Sequence, residues 1–128
     1  IPYDMYYGNE SPSWDGKGVS FLDMTKPGKA YGVAYLITRT QFKHLWKQEN
    51  GGATPRPESW YGCEKELGTY HNIPVMTVTN CGVVGKNEAS ALYKEILCEG
   101  LRENYPQLKD DLIEEYVESR NRNAEIMK

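Results

Sequence analysis

The order of the sequence patterns predicts an α+β fold. Segments typical of strands come first along the chain, and helical periodicity dominates from Asn87 onward. Parallel α/β folds alternate strands with helices throughout, so this segregation favours α+β over a doubly wound sheet. At 128 residues the chain has the size of one domain that buries an ordinary core. We therefore expect a single domain over residues 1–128, with a frayed tail over 120–128.

Five segments are predicted to be strands because each is rich in β-branched or aromatic residues and is bounded by turn signals. They are residues 3–7, 19–24, 30–37, 60–70 and 74–79. The third is the most apolar, and we expect it at the centre of the sheet, paired with the second across the turn at 26–29. His71 and Asn72 are expected to form the turn between the last two strands.

Three helices are predicted from apolar residues spaced three and four apart. Thr38 or Thr40 caps the first, which ends near Glu49 because Asn50 and two glycines follow. The second follows Asn87 and carries an apolar stripe that Gly100 interrupts softly, and Pro106 starts the third.

Composition and charge exclude several classes of partner. The net charge is −3 and no basic run occurs, which argues against nucleic acid. No stretch approaches the roughly 18 apolar residues that a membrane helix needs. The three cysteines (Cys63, Cys81 and Cys98) are odd in number and form no Cys-x-x-Cys pair, so we expect them to be reduced and the protein to be cytoplasmic.

Motifs for metal, nucleophilic or cofactor chemistry are not found. His44 and His71 fall in different predicted elements, and neither has the spacing of a recognised metal site. The chain has no Gly-x-Ser-x-Gly elbow, and Gly16 and Gly18 lack the context of a phosphate-binding loop. We therefore predict no metal and no cofactor.

Tyrosine is unusually frequent, with ten residues against two phenylalanines. A tyrosine side chain has an apolar body and a polar tip, which suits the wall of a polar, concave site. Tyrosine is also favoured in sheets generally, so the same count is compatible with a sheet-rich domain that has no such site.

Glu49 is the candidate catalytic residue. It ends a predicted helix, where the helix dipole disfavours an ionised carboxylate, and the following Asn50–Gly51–Gly52 turn allows backbone to approach a ligand. A carboxyl group in such a place suits general acid and base catalysis. The alternative is an ordinary solvated helix end.

Three stretches of the chain match the signature of one known family in their order and spacing. Residues 29–37 are followed by a short helix and then Glu49, residues 8–19 contain a loop and a glycine-bearing strand, and residues 93–104 form a helix that ends in Gly-x-x-Glu-Asn. Together they resemble the γ-glutamylcyclotransferase family, in which the first stretch is the strand, helix and catalytic glutamate and the last is the C-terminal helix.

The resemblance implies a small mixed-strand β-barrel with flanking helices, mostly C-terminal. It implies an enzyme that converts a γ-glutamyl amine or amino acid into 5-oxoproline and the free amine, without a cofactor. Glu49 matches the family's acid/base, Tyr93 a pocket tyrosine, and Tyr61 the tyrosine that opens the strand after the catalytic turn.

Two departures from the family pattern leave alternatives open. Asn50 follows the glutamate where the family has glycine, although asparagine tolerates positive φ. The family's first strand and Tyr-Gly-Ser-Asn loop, which binds the substrate carboxylate, have no counterpart after Ile1. Either an N-terminal segment is missing or the loop and the activity are lost.

Two other functions remain as alternatives to the enzyme. One is a binding module for a small molecule or protein on the same scaffold, and the other is a fragment that forms a homodimer through an exposed sheet edge.

Overall fold

The structure is a computed structural model that describes residues 1–120, and its α+β class agrees with the prediction. Residues 121–128 of the predicted tail lie outside the described residues. The elements in chain order are β1 (Tyr3–Ser11), a 3₁₀ turn (Pro12–Trp14), β2 (Lys17–Pro27), α1 (Arg39–Glu49), β3 (Cys63–Tyr70), β4 (Ile73–Thr79), α2 (Ala91–Asn104) and α3 (Asp110–Glu118). The strands form two antiparallel hairpins, β1–β2 and β3–β4.

The β1–β2 hairpin is the centre of the core because both of its faces are covered. Tyr6 of β1 pairs with Phe21 of β2, and these side chains pack together with Val19 on one face. Met5 and Tyr7 point to the other face, as alternation along a strand requires. Side chains of α2 and α3 cover that second face, and α2 and α3 pack on each other through a further buried cluster.

The third predicted strand is wrong. Residues 30–37 form no strand, although Ala30 exchanges two backbone hydrogen bonds with Ile1, and β2 pairs with β1 instead. Only the start of this segment is held: Ala30 is buried, the Tyr31 amide donates to the Tyr116 hydroxyl at 3.0 Å, and the Gly32 amide donates to the Tyr105 hydroxyl at 3.2 Å. Apolar composition favours a strand, but a strand also needs a neighbour with free backbone groups. The edge of β2 that faces away from β1 is already occupied, because hydroxyl groups of other segments bond the Ser20 amide and carbonyl and the Leu22 carbonyl.

The β3–β4 hairpin confirms the predicted turn. His71 and Asn72 both have positive φ, 48° and 64°, which is the conformation of a two-residue hairpin turn that matches strand twist. The first of these strands begins at Cys63 rather than at residue 60. Most of this hairpin is exposed, and only Thr79, at its end, is buried; its hydroxyl donates to the Leu22 carbonyl at 3.0 Å. In the described residues the two hairpins share no strand pairing, so no closed barrel is present.

The helices follow the predicted caps and stripes with small shifts. Thr38 caps α1, and its hydroxyl and the Gln41 side chain form a reciprocal capping box. The second helix continues through Gly100, which does not interrupt it. Pro106 lies in the connecting turn, and α3 begins later, at Asp110. Arg120, where the predicted tail begins, donates to the Tyr116 carbonyl at 2.7 Å and forms an ion pair with Asp4 at 3.3 Å.

A segment that we call the strap, residues 84–89, crosses the hairpin β1–β2 beside its turn. The Asn9 amide donates to the Gly85 carbonyl at 2.9 Å, and the Gly18 amide donates to the Glu88 carbonyl at 2.8 Å. A Cβ atom at Gly18 would lie 2.3 Å from the Asn87 carbonyl oxygen, so only glycine allows this approach. The strap therefore joins the two strands directly to the start of α2.

The prediction that all cysteines are reduced is wrong. Cys63 and Cys81 form a disulfide, with Cα atoms 5.1 Å apart, and Cys98 is a free thiol buried between α2 and α3. The hairpin brings the pair together, because Cys63 lies opposite Thr79 in the register and Cys81 is two residues further on. Cysteine count and spacing do not reveal such closeness. The predicted cytoplasmic location thereby loses the observation on which it rested, because persistent disulfides are typical of oxidising compartments.

Candidate functional site

Glu49 is the last residue of α1, as predicted, and its side chain is exposed. The chain then turns through Asn50, whose φ of −107° is ordinary, and positive φ values fall on Gly51 and Gly52, at 70° and 87°. The tolerance of asparagine for positive φ, expected at Asn50, is therefore not used. Instead, the Asn50 side chain turns back toward the protein.

Asn50 holds Tyr61 next to the end of α1. Its side-chain oxygen accepts a hydrogen bond from the Tyr61 amide at 3.0 Å, and its side-chain nitrogen donates to the Tyr61 carbonyl at 3.0 Å. The Trp46 indole N–H, one turn back in α1, donates to the same carbonyl. Two residues from one helix end thus fix the backbone of Tyr61 on both sides of its Cα atom.

Tyr61 and Tyr93 meet at Ser20 of β2. The Tyr61 hydroxyl donates to the Ser20 carbonyl at 3.0 Å, and the Ser20 amide donates to the Tyr93 hydroxyl at 2.9 Å. The Ser20 hydroxyl is also 3.0 Å from the Tyr93 hydroxyl. The two tyrosines are 32 positions apart by residue number and come from different elements, yet their polar tips share one residue.

Aromatic rings fix both tyrosines in these positions. Phe21 stacks on Tyr61 with ring centroids 4.9 Å apart, and Trp14 meets Tyr93 edge-on at 5.0 Å. Neighbouring rings of this kind prefer such stacked and edge-on geometries. The hydroxyls are therefore presented at defined points rather than on freely rotating side chains.

The electrostatic environment keeps the Tyr61 hydroxyl protonated. Burial raises the pKa of Tyr61 well above its usual range, and the nearby Tyr93 hydroxyl and the Glu49 carboxylate raise it further. The Glu49 charge is thus close enough to Tyr61 to act on its hydroxyl. The structure places Tyr61 and Tyr93 together and leaves Glu49 at the exposed rim of the same region.

Ser20 and Asn50 are the residues of this region that sequence reasoning missed. Ser20 is a polar, half-buried residue within the largely apolar run of β2, between the buried Val19 and Phe21. A polar residue in such a run was a signal that its side chain or backbone has a specific partner. Asn50 carried no comparable signal, because its partner lies 11 positions away in the sequence.

An open groove of about 300 Å³ lies elsewhere on the protein, between residues 29–31 and the helices α2 and α3. Its lining includes Leu101, Leu112 and Tyr116, and none of Glu49, Tyr61 and Tyr93 takes part.

Within residues 1–120, no group of three or more His, Cys, Asp or Glu residues is arranged to hold a metal ion. No helix in that range is long and apolar enough to span a bilayer.

Comparison of the chain with family models, with curated proteins and with solved structures finds no match in any of the three.

Proposed function

We propose that the protein is a γ-glutamylcyclotransferase-type enzyme that releases 5-oxoproline and a free amine or amino acid from a γ-glutamyl substrate. One observation supports it most: the hydroxyls of Tyr61 and Tyr93 share Ser20, within electrostatic reach of Glu49. These are the three residues that the family resemblance assigns to the reaction. The proposal also implies the family's small mixed-strand barrel.

The proposed reaction is an intramolecular acyl transfer. The substrate's α-amine attacks its own γ-carbonyl carbon, a C–N bond closes the five-membered ring, and the bond to the leaving nitrogen breaks. The protein needs no nucleophile for this step, but it must hold the glutamyl chain in a ring-forming conformation and move protons. Glu49 takes a proton from the α-ammonium group and returns one to the departing nitrogen.

The tyrosines are proposed to orient the substrate. Because burial raises the pKa of Tyr61, its hydroxyl stays protonated. That proton is donated to the Ser20 carbonyl, so toward the substrate the Tyr61 oxygen acts as an acceptor, for example for the α-ammonium group. The Tyr93 hydroxyl accepts from the Ser20 amide, and it donates its own proton either to the Ser20 hydroxyl oxygen, 3.0 Å away, or to an acceptor of the substrate such as its carboxylate or carbonyl.

The experiment is an assay of 5-oxoproline release from γ-glutamyl dipeptides, with the full natural chain and its Glu49→Gln variant. Loss of the acid/base is expected to slow release by about 10²–10⁴-fold. The matched control is Glu103→Gln, which removes an exposed carboxylate of α2 ten positions after Tyr93. Release by the wild type no faster than by Glu49→Gln would contradict the proposal.

A binding module without turnover is the second candidate, and the exposure of Glu49 favours it. Acid/base carboxylates usually work in sites from which water is excluded. Calorimetric titration with the same dipeptides separates the two candidates. Saturable binding that Glu49→Gln leaves intact, with no 5-oxoproline formed, would select the binding module.

A further inference from the structure

The Cys63–Cys81 disulfide lies beside the candidate site rather than in the core. Cys63 begins β3 two residues after Tyr61, and Cys81 follows the end of β4 by two residues. Neither cysteine belongs to the three buried apolar clusters of the described residues. The bond therefore closes the open end of the exposed hairpin β3–β4, where the chain arrives from Tyr61.

The same end of the hairpin binds the segment that carries Tyr61, residues 59–62, which we call the Tyr61 segment. The Asn80 side chain, next to Cys81, donates to the Trp60 carbonyl at 3.0 Å and reaches the Ser59 carbonyl at 3.5 Å. Thr79, one residue earlier, is anchored to β2 through the Leu22 carbonyl. The disulfide thus ties the Tyr61 segment covalently to a point that is fixed on the central hairpin.

We propose that Cys63 and Cys81 form a thiol-exchanging modification site whose reduction releases the Tyr61 segment and so displaces Tyr61 from Ser20. Cys81 is exposed and Cys63 is half-buried, so a dithiol reductant reaches the bond from solvent. The inference does not depend on the proposed enzymatic activity, because it concerns only the position of Tyr61.

The exchange is balanced by two thiols of the reductant. A thiolate attacks one sulfur of the disulfide, forms a mixed disulfide and releases the other cysteine as a thiolate. The second thiol of the reductant then attacks the mixed disulfide, which leaves Cys63 and Cys81 as free thiols and the reductant as its own disulfide. The protein gains two electrons and two protons.

The third cysteine does not compete in this exchange. Cys98 is buried among Ile113, Val117 and their neighbours, and burial raises the pKa of its thiol. A buried thiol that resists ionisation is a poor nucleophile. Reduction and reoxidation are therefore confined to the pair at the hairpin.

The expected response is local. Without the covalent link, the Tyr61 segment keeps its hydrogen bonds to Asn50, Trp46, Asn80 and Ser20, all of them half-buried or exposed, and the stacking of Tyr61 on Phe21. These contacts lie at the edge of the core, where a segment opens more readily than the core does. If Tyr61 moves away, the cluster of Tyr6, Val19 and Phe21 loses one of its partly buried neighbours, whereas the other two clusters lose nothing. Reduction is thus expected to loosen Tyr61 while the domain stays folded.

The test is amide hydrogen exchange by NMR on the natural chain, oxidised and then reduced with dithiothreitol. The Tyr61 amide, which donates to Asn50, and the Ser20 amide, which donates to the Tyr93 hydroxyl, are expected to exchange at least about tenfold faster after reduction. The Ile113 amide, which donates to the Lys109 carbonyl within α3, is the internal reference and is expected to change less than about twofold. Removal of the reductant should restore the original rates.

Two variants make the test specific. In Cys98→Ser, the reductant should accelerate exchange of the Tyr61 and Ser20 amides as it does in the wild type. In the double variant Cys63→Ser/Cys81→Ser, these amides should already exchange at the rates of the reduced protein, and the reductant should not change them. If the double variant does not fold, alkylation of the wild-type thiols at each reductant concentration gives the fraction of reduced Cys63–Cys81 pairs. The amide exchange rates should then rise in step with that fraction. Unchanged Tyr61 and Ser20 rates after reduction, equal acceleration of all three amides, or a pair that stays oxidised until the protein unfolds would each overturn the proposal.

Discussion

Asn50 is the residue that connects the end of α1 to Tyr61. Its amide group satisfies both the N–H and the carbonyl of Tyr61 and also donates to the Trp46 carbonyl at 3.1 Å. Asparagine is suited to this position because one short side chain carries both a donor and an acceptor. Through Tyr61 and Ser20 the connection continues to Tyr93, so one side chain positions the backbone on which the candidate site depends.

Replacement of Asn50 by alanine is expected to lower the free energy of unfolding by about 1–3 kcal/mol, because the half-buried Tyr61 amide loses its partner and the Tyr61 carbonyl keeps only the Trp46 indole. Urea denaturation followed by circular dichroism measures the change. The control is Gln48→Ala, an exposed side chain two residues earlier in α1, for which a change within about 0.5 kcal/mol is expected. Equal stability of the two variants would contradict this role of Asn50.

The elements differ in how they are stabilised. The hairpin β1–β2 and the helices α2 and α3 form the buried clusters, whereas α1 contains no buried residue and depends on its capping box and on its link to Tyr61. The strap holds the central hairpin to α2 through backbone hydrogen bonds, through the Asn87 side chain and through the buried Ala89, and it approaches Gly8 and Gly18 closely. Glycine at these two strand positions reflects close packing rather than a need for positive φ: against the Asn87 backbone at Gly18, and against the Val84 side chain and the Gly85 carbonyl at Gly8.

Gly18→Ala is expected to destabilise the protein by about 1–3 kcal/mol, because the added Cβ atom meets the Asn87 carbonyl oxygen and forces the strap outward. The matched control lies in the strap itself: a Cβ atom at Gly85 meets no atom within 4 Å. Gly85→Ala should therefore change the thermal unfolding temperature little. A loss of stability in Gly85→Ala as large as that in Gly18→Ala would show that strap flexibility, and not the close approach, is the relevant property.

Tyrosine hydroxyls connect the elements of the whole molecule. Six of them bond the backbone of a distant segment, and these are the hydroxyls of Tyr6, Tyr7, Tyr61, Tyr93, Tyr105 and Tyr116. The high tyrosine content thus has a use that neither sequence interpretation anticipated, because the ring packs in the core while the hydroxyl pairs a backbone group at its edge. Tyr7, for example, donates to the Val117 carbonyl at 2.7 Å and joins β1 to α3.

The buried tyrosines predict loss of stability at alkaline pH. Burial raises the pKa of Tyr6, Tyr7, Tyr61 and Tyr116 in the folded protein above the value of about 10 that unfolded tyrosine has. Between the pKa of tyrosine in the unfolded chain and its higher pKa in the folded protein, the folded state binds more protons than the unfolded state. The stabilisation is therefore complete below about pH 10 and is lost as the pH rises further. Unfolding by urea at several alkaline pH values measures this fall.

Tyrosinate absorbance assigns the alkaline effect to tyrosine rather than lysine. The tyrosinate absorbance should rise at the same pH at which the circular dichroism signal is lost. The Tyr7→Phe variant should be less stable than the wild type at neutral pH, but its free energy of unfolding should fall less as the pH is raised. Ionisation of all ten tyrosines near pH 10 with the fold intact would contradict the prediction.

Local chemistry was sufficient for the sequence to determine the α+β order, a helix cap at Thr38 or Thr40, the end of that helix near Glu49 and the turn at His71–Asn72. Each of the last three depends on residues within a few positions. Tertiary structure alone decided that β2 pairs with β1 rather than with residues 30–37, that Cys63 meets Cys81, and that Tyr61 and Tyr93 share Ser20. These are non-local contacts. Several segments compete for each partner, and burial and backbone hydrogen bonding across the whole domain select one arrangement.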